Sequence, residues 1–313
     1  MRVVSLFSGA GGLDLGFIWA GHEVVFANDV YHDAVETYRL NIGDHIYEGD
    51  IAGVASDEIP DCDIVIGGFP CQGFSVANTQ RKRLDARNQL YLEMVRVIRD
   101  KRPRYFLAEN VKGILSLEKG EVFREILRDF ADIGYDTQFQ VLNAANYGVP
   151  QRRERVFIVG VRRDISWRPV FPLPTHDRHA RLGQLPWVAV GDALAGLPDP
   201  DAPNDLHNHL YSKYKLRFNG YIGHRAIDPT LPAPTVTARG DDKGGVVVLH
   251  HPSNTRRMTC RELATVQGFP LDYEFVGGIS SVYRQIGNAV PPPLGRVVGG
   301  MFGEEVKGNE VEE

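Results

Sequence analysis

Residues 2–21 read RVVSLFSGAGGLDLGFIWAG: a short β-branched run, a cluster of small residues holding Gly9, Gly11 and Gly12, and a stretch whose apolar positions suit a helix. The order is strand, glycine turn, helix. Glycines allow a sharp turn and leave backbone amides at a helix N-terminus facing a ligand, as nucleotide-binding loops require. A glycine cluster is equally at home in a plain tight turn, so the neighbouring segments decide. The next strand, EVVFAND (23–29), ends in Asp29 about twenty residues on, where a carboxylate can accept from ribose hydroxyls. A third, HIYEGDI (45–51), carries Asp50 and Ile51 at its end, and a fourth, DCDIVIGGFP (61–70), stops beside Cys71. All these residues fall at carboxyl ends of strands, where open α/β sheets bind their ligands.

The pattern continues outward. QLYLEMVRVIRDKR (89–102) has good amphipathic period, PRYFLAENV (103–111) is a buried strand delivering Glu109 and Asn110, and GEVFREILRDFADIGY (120–135) is another helix. Residues 136–163, DTQFQVLNAANYGVPQRRERVFIVGVRR, read as two strands around a turn with Arg152, Arg153 and Arg155. This alternation predicts an α/β fold with a doubly wound, mostly parallel sheet. From about Phe171 to His251 the chain turns rich in proline and glycine (FPLPTH, LPDPDAPND, DPTLPAPT, GDDKGG), which predicts a smaller irregular lobe. Helical character returns in TCRELATVQGFP (259–270) and VYRQIGNAVPPPLGRVVGGMFGEEV (282–306). The expected division is 1–170 for catalysis and cofactor, 171–253 for the lobe, 254–306 completing the first domain, and 307–313 as a disordered acidic tail.

A chain of 313 residues with 43% hydrophobic content is long enough for one large domain and a smaller lobe. No apolar stretch is long enough to cross a bilayer and no signal-peptide pattern opens the chain, so a soluble, cytoplasmic protein is expected. Cys62, Cys71 and Cys260 are odd in number and lack CxxC spacing, which speaks against a disulfide framework or a cysteine-rich zinc site. Seven of the ten histidines lie in the lobe, His207 and His209 among them, without partners at ligand spacing, and no metal is expected. A formal charge of −5 argues against gripping nucleic acid by bulk charge, while leaving room for local basic patches.

Taken together, SLFSGAGG, GGFPCQGFS, ENVKG, QRRERVFIVG, RELATVQGFP and YRQIGNAVPPPL resemble, in order and spacing, the cytosine-5 DNA methyltransferases of restriction-modification systems. The resemblance spans nearly the whole chain outside the lobe. It implies an S-adenosylmethionine-dependent methyltransferase fold and S-adenosylmethionine as methyl donor. Phe7, Gly9, Gly11 and Gly12 would surround that donor, with Asp29 on its ribose, Asp50 and Ile51 near its adenine, and Pro70, Leu90 and Asn288 completing the pocket. Two departures stand out: Ser5 occupies a position often acidic in the family, and Asp29 replaces the more usual glutamate.

The chemistry explains the residue types. Carbon 5 of cytosine is too poor a nucleophile to take a methyl group until carbon 6 has been attacked, and a thiol serves both as nucleophile and as the group later expelled, which selects Cys71. Charge then builds at N3, where Glu109 would donate a proton or hydrogen bond. By resemblance Arg155 lies on the base carbonyl, Arg153 supports it, and Asn110 positions the loop around the cysteine.

The target base lies inside duplex DNA and must be rotated out at a cost of about a few kcal/mol. VANTQRKRLDARNQ (76–89) carries Arg81, Lys82, Arg83 and Arg87 against one aspartate, composition suited to a loop closing on phosphates. In the lobe, Thr235, Thr237, Arg239 and Lys243 are the expected contacts to bases and phosphates. A monomer is expected, paired in function with a restriction endonuclease acting on the same DNA site. Two rivals share parts of this pattern. A tRNA cytosine-5 methyltransferase would also use Cys71, but the Cys-Phe-Thr signature usual in that branch is absent. An inactive S-adenosylmethionine- or DNA-binding module would need neither Pro-Cys nor Glu-Asn-Val.

Overall fold

The computed structural model describes residues 1–69, 86–213, 216–218, 225–238 and 248–303. Among them the expected alternation resolves into β1 (Arg2–Leu6), α1 (Gly12–Trp19), β2 (Glu23–Asp29), α2 (His32–Asn41), β3 (Ile46–Glu48), β4 (Ile64–Gly67), α3 (Ala86–Lys101), β5 (Tyr105–Val111), α4 (Glu121–Asp132), β6 (Tyr135–Asn143) and β7 (Glu154–Arg162). The seven strands form one sheet in the order β3-β2-β1-β4-β5-β7-β6. All neighbours run parallel except β7, which is antiparallel to β5 and β6 alike. The strand order reverses between β1 and β4, so a crevice opens at their carboxyl ends, where the glycine turn leaves β1 and the chain toward Cys71 leaves β4.

Both faces of the sheet are covered, and the period-2 alternation of its strands sorts their side chains. Val3, Ile64, Ile66, Leu107, Phe157 and Val159 face a core shared with Phe17 of α1 and Val35 and Tyr38 of α2. Val4, Val65, Phe106, Ala108, Val156 and Ile158 face the other way, onto Met94 and Val97 of α3 and Ile126 and Phe130 of α4.

Beyond β7 regular structure thins out. The described residues up to Thr259 contribute two-residue strands, β8 (His176–Asp177) and β9 (Leu185–Pro186), and the short helix α5 (Val190–Leu194). Then come α6 (Cys260–Gln267), α7 (Ile279–Asn288) and α8 (Pro292–Gly299). These last helices part company. Leu294 and Val298 of α8 join the sheet core, whereas Leu263 of α6 and Ile286 of α7 share a third apolar cluster with Val190, Ile227, Val236 and Leu249. The fold is the expected one, with a mixed edge where β7 reverses.

Candidate active site

The loop leaving β1 is built around unusual backbone. Gly9 and Gly11 have φ of 54° and 77°, and Phe7, which has a side chain, sits at 57°. Left-handed backbone at a residue other than glycine costs about 1 to 2 kcal/mol and tends to mark a working site. Asp29 closes the loop from the next strand: Oδ2 accepts from Gly9 N and Oδ1 from Tyr31 N, both at 2.8 Å. Burial raises its carboxyl above the usual range against those hydrogen bonds. Val30, immediately after it, is 63% exposed, an apolar side chain left uncovered at the rim of the crevice. Asp50 is exposed and caps the turn at Ile51 by accepting from Ala52 N. Ile51 itself is buried in the sheet core, while Leu90 is half-buried and Asn288 exposed.

The second wall comes from β5 and the reversed strand. In the antiparallel pairing Arg155 lies opposite Val111, two residues from Glu109 on the same face, so the two side chains are diagonal neighbours. They form an ion pair, Arg155 Nε to Glu109 Oε1 at 2.8 Å, each side chain 12% exposed. A methyl group on Gly68 would stand 2.9 Å from Glu109 Oε2, so the carboxyl overhangs the end of β4 and would have to shift to admit a larger residue beneath it. Asn110 ties the same end, donating from Nδ2 to Phe69 O at 2.9 Å while its Oδ1 accepts from Val111 N. Phe69 is two residues short of Cys71.

Arg153 faces the other way. Wholly buried, it donates from Nη1 to Val236 O at 2.7 Å and from Nη2 to Gly287 O and Ala289 O at 2.9 and 2.8 Å. Burial, with Arg155 nearby, holds its pKa well below the ordinary arginine value. Gln151 works beside it, accepting from Val236 N and donating to Gln267 Oε1. The basic turn thus sends one arginine into the site and one into the framework behind it.

A family model for C-5 cytosine-specific DNA methylases matches residues 1–217 and 201–304. The chain belongs to that family. It is 42% identical to the type II methyltransferase M.NgoFVII of Neisseria gonorrhoeae over 93% of its own length and 83% of the relative's. To M.FnuDI of Fusobacterium nucleatum it is 36% identical, over 95% and 93%. A solved structure of a putative DNA modification methyltransferase encoded within an Escherichia coli prophage superposes with a TM-score of 0.77 at 25% identity, over 96% of this chain and 98% of that one.

As a DNA cytosine-5 methyltransferase, the protein uses S-adenosylmethionine, and the residues present suit that donor: the left-handed loop after β1 and the carboxyl ends of β2 and β3 lie along the one sheet edge where such folds bind ligands. Several site residues expected of this methylase lie outside the described residues, namely Pro70, Cys71, Arg81, Lys82, Arg83, Arg239 and Lys243, as does the acidic tail at 307–313. Arg87 belongs to α3, and its side chain is not described. Thr235 donates to Arg152 O at 2.7 Å, and the buried hydroxyl of Thr237 has no hydrogen-bond partner among the described residues.

The other cysteines sit away from this edge or behind it. Cys62 precedes β4, at the opposite end of that strand, and burial pushes its thiol up to about 12. Cys260 opens α6, and burial pushes its thiol up as well. The two lobe histidines diverge: His209 is buried between Pro198 O and Thr259 Oγ1, while His207 is exposed beside Glu274. Among the described residues, the grouping close enough to share a cation is the surface trio His32, Glu36 and Glu48. Sequence reading missed Val30, Gln151 and Gln267. An apolar residue directly after the acidic end of β2 was the available signal for the first, whereas the glutamines act through contacts far apart in the chain.

Proposed function

We propose that the protein methylates carbon 5 of cytosine, within a short specific sequence of duplex DNA, through a transient covalent bond from Cys71 to the base at the crevice between β1 and β4. The observation that carries this reading is the 2.8 Å Glu109–Arg155 pair overhanging the strand end that leads into Pro70 and Cys71. In the proposed sequence the Cys71 thiolate bonds to carbon 6 of a flipped cytosine, which makes carbon 5 nucleophilic. Glu109 supplies the proton or hydrogen bond at N3 that the ring needs as its charge builds. Arg155 contacts the base carbonyl and keeps the Glu109 carboxyl aimed, and Asn110 holds the chain at Phe69. S-adenosylmethionine supplies the methyl group that carbon 5 attacks; loss of the carbon 5 proton to a base then expels the Cys71 thiolate and restores the ring.

Phe7, Gly9, Gly11 and Gly12 form the proposed seat of the donor, with Asp29 at the ribose and Asp50, Val30 and the Ile51 backbone toward the adenine. Pro70, Leu90 and Asn288 complete it. Residues 171–253 form the proposed recognition lobe, in which Thr235, Thr237, Arg239 and Lys243 contact DNA, and Arg81, Lys82, Arg83 and Arg87 close on phosphates. Residues 1–170 and 254–306 form the proposed catalytic domain. The enzyme works as a cytoplasmic monomer and protects sites that a cognate endonuclease would cut. No helix among the described residues is long and apolar enough to cross a membrane.

The test is transfer of a labelled methyl group from S-adenosylmethionine to duplex DNA, followed by nucleoside analysis and bisulfite mapping. Label in 5-methylcytosine at one recurring sequence is the expected result. Label in adenine, at cytosine N4, or only in tRNA would overturn the reading.

A further inference from the structure

Asp14 stands in the first turn of α1, directly behind the glycine loop, and is wholly buried. Its side-chain partners are hydroxyls rather than a lysine or arginine: Ser5 Oγ donates to Oδ1 at 2.7 Å and Tyr38 OH to Oδ2 at 2.9 Å. Burial pushes its pKa up to about 6, so it is mostly ionised at neutral pH, and a carboxylate buried without a cation is expensive to keep. Some return other than stability must hold it there.

The return lies along its contacts. The Ser5 hydroxyl donates its hydrogen bond to Asp14, so its Oγ accepts from Ser8 Oγ at 2.9 Å. Ser8 Oγ in turn accepts from Asn28 N at 3.3 Å, while Ser8 N donates to Asn28 O at 2.8 Å. The next residue of the loop, Gly9, donates to the next residue of the strand, Asp29. A carboxylate can only accept, so it fixes the Ser5 hydroxyl as its donor and leaves the Ser5 oxygen open to Ser8, whose hydroxyl also reaches Ser5 O at 3.3 Å. Tyr38, whose hydroxyl is also 3.1 Å from His45 Nε2, closes the other side, and Tyr273 OH pins the loop from above through Ala10 O at 2.5 Å.

We propose that Asp14 is a positioning residue for the methyl donor: as the acceptor end of the Asp14–Ser5–Ser8–Asn28 chain, it holds the glycine loop in register with Asp29. The proposal rests on the loop being the donor's seat. Because Ser5 Oγ and Asp14 Oδ1 touch, a carboxylate carried by either backbone position can end the chain at nearly the same point, which gives the test its logic.

The experiment is calorimetric binding of S-adenosylhomocysteine and S-adenosylmethionine to the full chain at pH 7.5. Asp14→Ser should weaken both ligands about tenfold or more, the scale of one charge-assisted hydrogen bond. Asp14→Asn, whose amide can end the chain in only one of its two orientations, should fall between. The double variant Ser5→Asp/Asp14→Ser should recover most of the lost affinity, although Tyr38 loses its carboxylate partner. An unchanged Asp14→Ser, or a loss that the double variant does not restore, overturns the proposal. A loss confined to S-adenosylmethionine also overturns it, in favour of direct pairing with the sulfonium charge. If instead Phe7→Ala and Asp29→Ala leave binding untouched, the loop is not the donor's seat and the underlying reading fails first.

Discussion

In the sheet, backbone pairs with backbone. Strands β1, β4 and β5 satisfy one another along their lengths, their side chains are almost all apolar, and the positions of Glu109 and Arg155 follow from register alone. After β7 the chain has few such ladders, and arginine side chains take over the work. Arg153 serves three carbonyls, Arg261 serves His207 O, Pro270 O and Tyr273 O, Arg257 serves Val248 O, and Arg256 grips Glu262 with two bonds at 2.6 and 2.7 Å. One planar guanidinium can satisfy several carbonyls that irregular backbone would otherwise bury unpaired. The comparison teaches that the Glu109–Arg155 pair is placed by strand register, which many bonds share, and the region after β7 by a few single side chains.

The hardest test of the sheet-edge half is the nucleophile itself. DNA containing 5-fluorocytosine should trap a covalent adduct that depends on S-adenosylmethionine, because fluorine cannot leave as a proton does. Cys71→Ser should abolish it, while Cys62→Ser at the far end of β4 and Cys260→Ser in the core of α6 should keep it. Loss of the adduct in either control, with the fold intact by circular dichroism, would move the chemistry away from this edge. Next in size is Glu109→Gln, which keeps the shape of the site but removes the acid and should slow single-turnover methylation by about 10² to 10⁴. Register would survive that change, so unaltered S-adenosylhomocysteine binding is expected alongside.

The arginine-held half breaks differently. Arg261→Met takes the donor from the buried Tyr273 O and the part-buried His207 O, while Pro270 O keeps Tyr273 N, and should cost about 3 kcal/mol in chemical denaturation, whereas an exposed arginine such as Arg128 of α4 should be nearly neutral as alanine. A loss below about 1 kcal/mol for Arg261→Met would mean that other groups carry this framework.

Asp14 offers a pH-dependent measurement on the sheet side. Its folded pKa of about 6 exceeds its ordinary value of 3.8, so the folded state binds the proton more tightly than the unfolded one. Its contribution is therefore most favourable below pH 4 and is lost as the pH rises to about 6, by about 3 kcal/mol in all. Stability measured for Asp14→Asn relative to the parent should rise by about that amount between pH 4 and 7, even as affinity for the methyl donor falls. A flat difference would show that Asp14 is not ionising in place.

These contrasts also mark what could be read from the chain. The glycine loop, Asp29 and the ends of β4 and β5 are local signals: a strand, its turn and the residue behind it lie within a few positions. That Arg155 meets Glu109 could be expected only through resemblance, because it depends on β7 running backward beside β5. Asp14 reads in sequence as the polar position of an amphipathic helix, and nothing local reveals that Ser5 and Tyr38 enclose it. Arg153 and Arg261 look like members of a basic turn and of a helix's first turn. Their burial is set by carbonyls that lie between 9 and 136 residues away, a distance no local pattern spans.

The smallest expected effects, and the sharpest for the comparison, concern how the enzyme chooses its sequence. If recognition belongs to the region after β7, a base-reading side chain there contributes about 1 to 3 kcal/mol of discrimination at its own position and little elsewhere. Phosphate contacts carry no such information. Arg239→Ala should therefore relax preference at one or two positions of the site, while Lys82→Ala or Arg83→Ala should weaken binding to all sequences alike and flatten the salt dependence. Methylation of a randomised-site library at two salt concentrations separates the two outcomes. A changed preference in Lys82→Ala with Arg239→Ala unaltered would put sequence reading on the same edge as the chemistry, and the division between a register-built site and an arginine-held reader would no longer stand.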